Sequence, residues 1–159
     1  MAYEFYVTIE GTKQGAFKGE SIRDAHKDKL EGLALSWDVQ SPRDVATGLA
    51  SGKRQHGPVT FTKEWGAASP QIFSALCTNE VMTSVLFEFI RTTAAGVEEI
   101  HYTIKLVNAT ISKVHSYIEM TKHESTADVH ELQDVSFTYQ RVELESKLGK
   151  TMASDDWTQ

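Results

Sequence analysis

Six histidines, one cysteine and two adjacent pairs of carboxylates are the residues of this chain that could do chemistry. His26, His56, His101, His115, His123 and His130 include no HxH or HxxxH pair, and metal ligands are spaced more tightly than this. With no second cysteine to complete a zinc site, neither a metal nor a cofactor is expected. Cys77 and a histidine would make a nucleophilic pair, but Cys77 falls on the apolar stripe of a short helix, where a buried thiol is inert. Glu98-Glu99 and Asp155-Asp156 are sequence neighbours, so on a strand their side chains face opposite ways and cannot serve one substrate as acid and base. GxSxG, P-loop and GxGxxG motifs do not occur. No active site is predicted, and the chain is not expected to be an enzyme.

The bulk properties point the same way. At 159 residues, with 40% hydrophobic and 24% charged residues, the chain is read as one ordinary domain with a sizeable core. We place that domain at residues 1–145 and a polar C-terminal tail at 146–159. A net charge of −6 with no Lys/Arg cluster argues against nucleic acid. No apolar run approaches the roughly 18 residues of a membrane span, so no membrane insertion is expected. Met1-Ala2-Tyr3-Glu4 lacks the basic and apolar regions of a secretory signal, so any export should use another route. A lone cysteine permits no internal disulfide and fits a reducing cytoplasm.

The elements that must carry these residues are mostly strands. Tyr3, Phe5, Val7 and Ile9 alternate with polar neighbours up to Gly11. Thr12 to Lys29 reads as connection, with a short extended piece near Gly19-Glu20-Ser21-Ile22. Leu30 to Gln40 reads as one strand, with Leu33, Leu35, Trp37 and Val39 on the core face and Ala34, Ser36 and Asp38 on the other. Ser41 to Gly57 is a loop of 17 residues, longer than compact domains usually allow, and reads as an arm. Pro58 to Lys63 alternates again. Ser69-Pro70 then signals a helix start, serine as the cap and proline at the first helical position. Ile72, Phe73, Leu76 and Cys77 form its apolar stripe, and Thr78-Asn79 ends it.

Val81 to Thr93 and Val97 to Leu106 form a hairpin about Ala94-Ala95-Gly96. Thr110 to Met120 follows a bend at Asn108-Ala109, Lys122 to Asp128 is a polar loop, and Val129 to Leu144 is the last long strand. One apolar and one polar face on nearly every strand imply antiparallel sheets, and long strands with short turns suggest a barrel or a sandwich, closed or nearly so, with the helix packed outside.

The order Gly19-Glu20-Ser21, Leu35-Ser36-Trp37, His56-Gly57-Pro58-Val59-Thr60-Phe61-Thr62-Lys63, Ser69-Pro70 and Gln133 to Arg141 resembles the hemolysin-coregulated protein (Hcp) family, the tube proteins of the bacterial type VI secretion system. The likeness spans roughly Tyr3 to Glu145. It departs at Trp65-Gly66-Ala67-Ala68, where family members more often carry a polar, acidic stretch. The resemblance implies an antiparallel β-barrel of two sheets with one short helix at its side that assembles as a homohexamer, with six copies in a ring around a wide lumen and rings stacked into a tube. It also implies expulsion by contractile sheath proteins, a type VI spike protein as partner, and small effector proteins carried in the lumen. The protein would then be cytoplasmic before firing and afterwards secreted without a cleaved signal peptide.

Two sets of residues follow as candidates. The arm has no evident partner within its own barrel, so Ser41, Pro42, Arg43, Val45, Leu49, Lys53, Arg54 and His56 are expected at a subunit interface. The polar face of the second strand either lines the channel or faces outward. By resemblance, the serine of Leu-Ser-Trp is a channel position, which places Ser36 in the lumen with Ala34 and Asp38 beside it. The competing reading is a monomeric β-barrel that binds a small ligand.

Overall fold

The structure, a computed structural model, describes residues 4–21, 23, 26–119 and 131–158. The expectations for Tyr3, Ile22, Met120, Val129, His123, His130 and the Lys122 to Asp128 loop lie outside the described residues. Among the described residues the chain forms twelve strands and one helix. The strands are β1 (Glu4–Gly11), β2 (Gly15–Ala16), β3 (Leu30–Gly32), β4 (Ala34–Ser36), β5 (Val39–Gln40), β6 (Gln55–His56) and β7 (Val59–Glu64). After helix α1 (Ala68–Thr78) come β8 (Met82–Thr92), β9 (Glu98–Tyr117), β10 (Leu132–Thr138), β11 (Arg141–Ser146) and β12 (Thr151–Asp156).

The frame is a long bent hairpin. β9 is one continuous strand of 20 residues rather than the two expected, and the bend at Asn108 is a positive φ of 51° within it. Asparagine tolerates that conformation better than most residues. The return path, expected as one strand, runs along β9 as β10 and then β11, with Tyr139-Gln140 between them. Both departures sit at the same corner: the Gln140 amide donates to the Val107 carbonyl at 3.2 Å, and Asn108 Nδ2 donates to Gln140 Oε1 at 3.0 Å. On one side of that corner β8, β1 and β11 continue the first sheet, while on the other β10, β7 and β4 make the second. All these pairings are antiparallel.

Leu30 to Gln40, read as a single strand, is three. β3 pairs with β1, β4 pairs with β7, and β5 leaves the barrel to pair with β6. The chain thus crosses from the edge of one sheet to the edge of the other and closes the gap between them, with the Leu33 amide donating to the Thr62 carbonyl at 2.8 Å. Gly32 permits the crossing, because a Cβ there would lie 2.0 Å from the Phe5 ring. The crossing also breaks the alternation. Leu35 and Trp37 pack against the core, but Leu33 is 49% exposed and Val39 is 45% exposed, contrary to the expected core face.

Inside the barrel, Phe61, Phe87 and Phe137 pack as one aromatic cluster. Phe61 and Phe137 stack at 5.9 Å and 4°, and Phe87 meets both edge-on at 81°. Helix α1 covers β9 with Ala68, Ile72 and Ala75, and Leu76 is half-buried beside them. The expected stripe is therefore rotated. Phe73 and Cys77 face outward, so Cys77 is an exposed thiol and not a buried one. The start differs too: the helix begins at Ala68 with Ala67 as its cap and no side-chain capping bond.

The serine expected as the cap does other work. Ser69 Oγ accepts from the Gly66 amide at 3.1 Å and donates to buried Gln133 Oε1 at 2.5 Å. Beside it Lys63, fully buried, pairs with Glu20 at 3.0 Å. The segment read as a polar tail carries β12, which pairs along the whole of β11. Its residues are exposed or half-buried, so it adds an edge to the sheet and little to the core. Gly19 to Ser21, expected as extended, belongs to no strand, although the Ser21 amide donates to the Lys29 carbonyl at 3.1 Å.

Candidate functional site

Among the described residues the histidines do not converge. His26 stacks on Tyr6 and places Nε2 3.3 Å from Glu98. His101 directs Nδ1 at the Phe89 carbonyl, and His115 stacks on Tyr117. The acidic pairs divide as alternation requires: Glu98 takes Arg23 and His26, while Glu99 takes Arg91. Among the described residues no three His, Cys, Asp or Glu are placed to hold a metal ion.

What stands out instead is the arm. Ser41 to Gly57 is not structureless, because β5 and β6 make it a hairpin standing off the barrel, and Arg43 bridges Ala50 further out. Its tip folds on itself. The Asp44 carboxylate accepts from the Ala46 amide at 2.7 Å and the Thr47 amide at 3.2 Å, an Asx turn, and the Gly48 amide donates to the Asp44 carbonyl at 2.8 Å. Gly48, at φ +74°, supplies the left-handed step that reverses the chain. The Ser51 amide donates to the Pro42 carbonyl at 3.0 Å.

The side chains this rigid tip presents are bare. Val45 is 104% exposed and Leu49 is 68% exposed. Ser41, Arg43, Lys53 and Arg54 are exposed as well, while Pro42 and His56 are half-covered. Both apolar side chains thus project from an ordered turn into solvent.

The base of the arm is fixed with equal care. His56 directs Nδ1 at the Tyr139 hydroxyl and Nε2 at the Asp155 carboxylate, each at 2.7 Å. Trp37 Nε1 donates to the Tyr139 hydroxyl at 3.0 Å, Arg54 forms an ion pair with Asp155, and Trp157 donates to the Tyr139 carbonyl. The Arg54 hydrogen bond holds the Asp155 carboxyl below the usual carboxylate range, and burial pushes the Tyr139 hydroxyl up. Gly57 closes the base: its amide donates to the Asp38 carbonyl at 2.9 Å, and a Cβ there would lie 2.4 Å from the Asp38 carboxylate. Of this footing, sequence reading named Arg54 and His56 as interface residues and Trp37 as a core residue, none of them as part of the arm's base. It missed Tyr139, Asp155 and Trp157, for which the one signal was an aromatic residue in an otherwise polar terminus.

Ala34, Ser36 and Asp38 are all exposed, and Ala34 and Ser36 flank the half-buried Leu35 on β4. Their face is open.

Comparison with known proteins agrees with this architecture. Residues 6–145 match the family described as "Type VI secretion system effector, Hcp". The chain is 35% identical to the "Major exported protein" of Pseudomonas aeruginosa, over 99% of this chain and 96% of that one. Among solved structures, a crystal structure of an Hcp protein superposes with a TM-score of 0.93 at 30% identity, covering 98% of each chain. The secreted protein Hcp3 from Pseudomonas aeruginosa superposes at 0.80 and 30% identity, covering 98% of this chain and 99% of that chain. The fold, the length and the sequence agree along nearly the whole chain, and the protein belongs to the Hcp family of type VI secretion proteins.

Proposed function

We infer that this chain is a structural tube subunit of the type VI secretion system and works as a homohexamer, six barrels closing a ring around a lumen and rings stacking into a tube. The observation that carries the reading is the arm. An ordered hairpin that is anchored on its own barrel only at its base, and leaves Val45 and Leu49 bare at its tip, is matched to another copy. Ser41, Pro42, Arg43, Val45, Leu49, Lys53, Arg54 and His56 are the interface residues of this proposal, the first six as contacts and the last two as the footing.

Ala34, Ser36 and Asp38 line the lumen in the same reading. A small, weakly polar surface repeated around a ring holds cargo by many shallow contacts and not by one pocket, so a small effector protein is retained yet released. The subunit supplies surface and no catalysis. Its further partners are the contractile sheath that drives the tube, the spike protein at the tip, and the effectors inside. It is made in the cytoplasm and exported by the machine itself.

Light scattering on the purified chain tests the assembly: a mass of six chains is expected, and a single-chain mass at every concentration favours a monomeric ligand-binding barrel. Ser36→Arg tests the lumen. The ring should persist while effector co-purification and secretion fall; unchanged export of the effectors would move this face out of the channel.

A further inference from the structure

One buried ring nitrogen stands outside the networks of this molecule. His26 is 7% exposed, stacks on Tyr6 at 4.2 Å and directs Nε2 at Glu98. Its Nδ1, shut off from water, has no hydrogen-bond partner among the described residues. An orphaned buried polar atom costs stability, and native proteins keep few of them. His26 also lines a cavity of about 380 Å³, together with Ile90, Glu98, Glu99, Ile100 and Lys147. Cavities that take small molecules measure about 300–1,000 Å³ and combine apolar walls with a few placed polar groups. Here Ile90 and Ile100, cross-strand partners on β8 and β9, are the apolar wall. Glu98 is spent on Arg23 and His26, and Glu99 on Arg91 at 2.7 Å. Lys147, in the turn between β11 and β12, is exposed and has no carboxylate partner among the described residues. The unused capacity of the cavity is therefore one imidazole nitrogen and one ammonium.

The cavity at the arm's footing, about 340 Å³ and lined in part by His56, Tyr139 and Trp157, offers no such remainder. Both nitrogens of His56 and the Tyr139 hydroxyl are already engaged there. The two cavities lie at opposite ends of the β11–β12 pair. Arg141 is opposite Asp156 at the footing, and Ser146 is opposite Thr151 beside the turn that carries Lys147. Charge then decides the ligand class. Nε2 faces a carboxylate and so carries the proton of a neutral ring, which leaves Nδ1 an acceptor in need of a donor. Lys147 calls for an anion. With the ring neutral, the carboxylates of Glu4, Glu98 and Glu99 are already balanced by Arg23, Arg91 and Lys147. A carboxylic acid meets all three conditions. Its O–H bond breaks as an N–H bond forms at Nδ1, and the carboxylate left behind lies between imidazolium and ammonium. The proton arrives with the ligand, so the charge balance is kept.

We propose that this cavity binds a small monocarboxylic acid with an apolar body, its carboxylate held by Lys147 and His26 and its hydrocarbon part seated on Ile90 and Ile100. A neutral alcohol would supply the donor without the anion, and a short acid such as acetate would leave the isoleucine wall in water. The site is independent of the tube reading and asks nothing of the arm or of the lumen face.

Benzoate is the probe, titrated into the full chain at about pH 8, where an unperturbed imidazole is neutral, with benzyl alcohol and acetate in parallel. Saturable binding of benzoate with a Kd of about 1 mM or tighter is expected. Calorimetry in two buffers of different ionisation enthalpy should show about one proton taken up per molecule bound, and the His26 Nδ1 resonance should move to its protonated position at saturation. Benzyl alcohol and acetate should each bind about tenfold more weakly or worse. Lys147→Ala, at an exposed position where folding is not at risk, should weaken benzoate about tenfold. His26→Gln should abolish the proton uptake, and the nitrogen resonance of the unaltered chain reads the same proton should that variant fail to fold. Benzoate that does not saturate, that binds without taking up a proton, or that is indifferent to Lys147→Ala overturns the site. None of these results bears on the mass of the ring, so the tube reading stands or falls separately.

Discussion

Phe87 and Val45 stand at opposite ends of this molecule's economy of contact. Phe87 has none of its surface in water and touches two other aromatic rings, whereas Val45 has all of its side chain in water and touches nothing. Both lie in ordered structure. The barrel is ordered by what it buries. The arm is ordered by local hydrogen bonds, the Asx turn at Asp44 and the footing at His56, so it can keep its shape without contributing to the core. Stability and recognition are thereby separated in space, and changes in one region should leave the other largely untouched.

Several measurements could break that separation. The largest effect is expected from Phe87→Ala, which should cost about 3–5 kcal/mol in denaturant titration by leaving a cavity between Phe61 and Phe137. A loss below about 1 kcal/mol would mean that the aromatic cluster is not the centre of the barrel. Ser69→Ala should cost about 1–3 kcal/mol, because it strands the Gly66 amide and buried Gln133. Its cause is a lost buried network, not a lost helix cap, so Ser69→Asn should fail to restore stability even though asparagine caps helices as well as serine does.

Acid should act on the arm before the barrel. Asp155 has a folded-state pKa lowered chiefly by its hydrogen bond from Arg54, so its contribution is complete above the ordinary carboxylate value of about 3.9. It is lost as pH falls below that value, through the lower folded-state pKa. The indole N–H resonance of Trp157, which reports the footing, should shift in that window while amides of β8 stay protected from exchange. Simultaneous loss of both would show that arm and barrel unfold as one unit. The smallest stability change is expected for replacing residues 41–55 by a four-residue turn, within about ±0.5 kcal/mol. The ring, in contrast, should disappear. A shortened chain that still has the mass of six copies would remove the arm from the interface.

The strand with the clearest alternation, β7, was legible because a half-buried strand repeats its environment every second residue. The arm was legible from length alone, and its eight candidate residues fall on it. Where the reading slipped, the environment changed partway along a regular pattern. Leu33, Leu35, Trp37 and Val39 alternate faultlessly, but Gly32 lets the chain cross between sheet edges, and only the middle two reach the core. Phe73 and Cys77 obey the helical period as well as Ala68 and Ala75 do. The small residues win the inner face because α1 must approach β9 closely.

Composition and periodicity by themselves determined that this is a strand-rich domain, barrel or sandwich, with one flanking helix and an unusually long loop. Those properties depend on residue types and local spacing, which the chain displays in order. Tertiary structure alone decided which apolar residues reach the core and which, like Val45 and Leu49, stay exposed, and how His56, Tyr139 and Asp155 come together across 99 residues of sequence. Each of these depends on closing long loops of chain, and no local pattern encodes where such a loop will close.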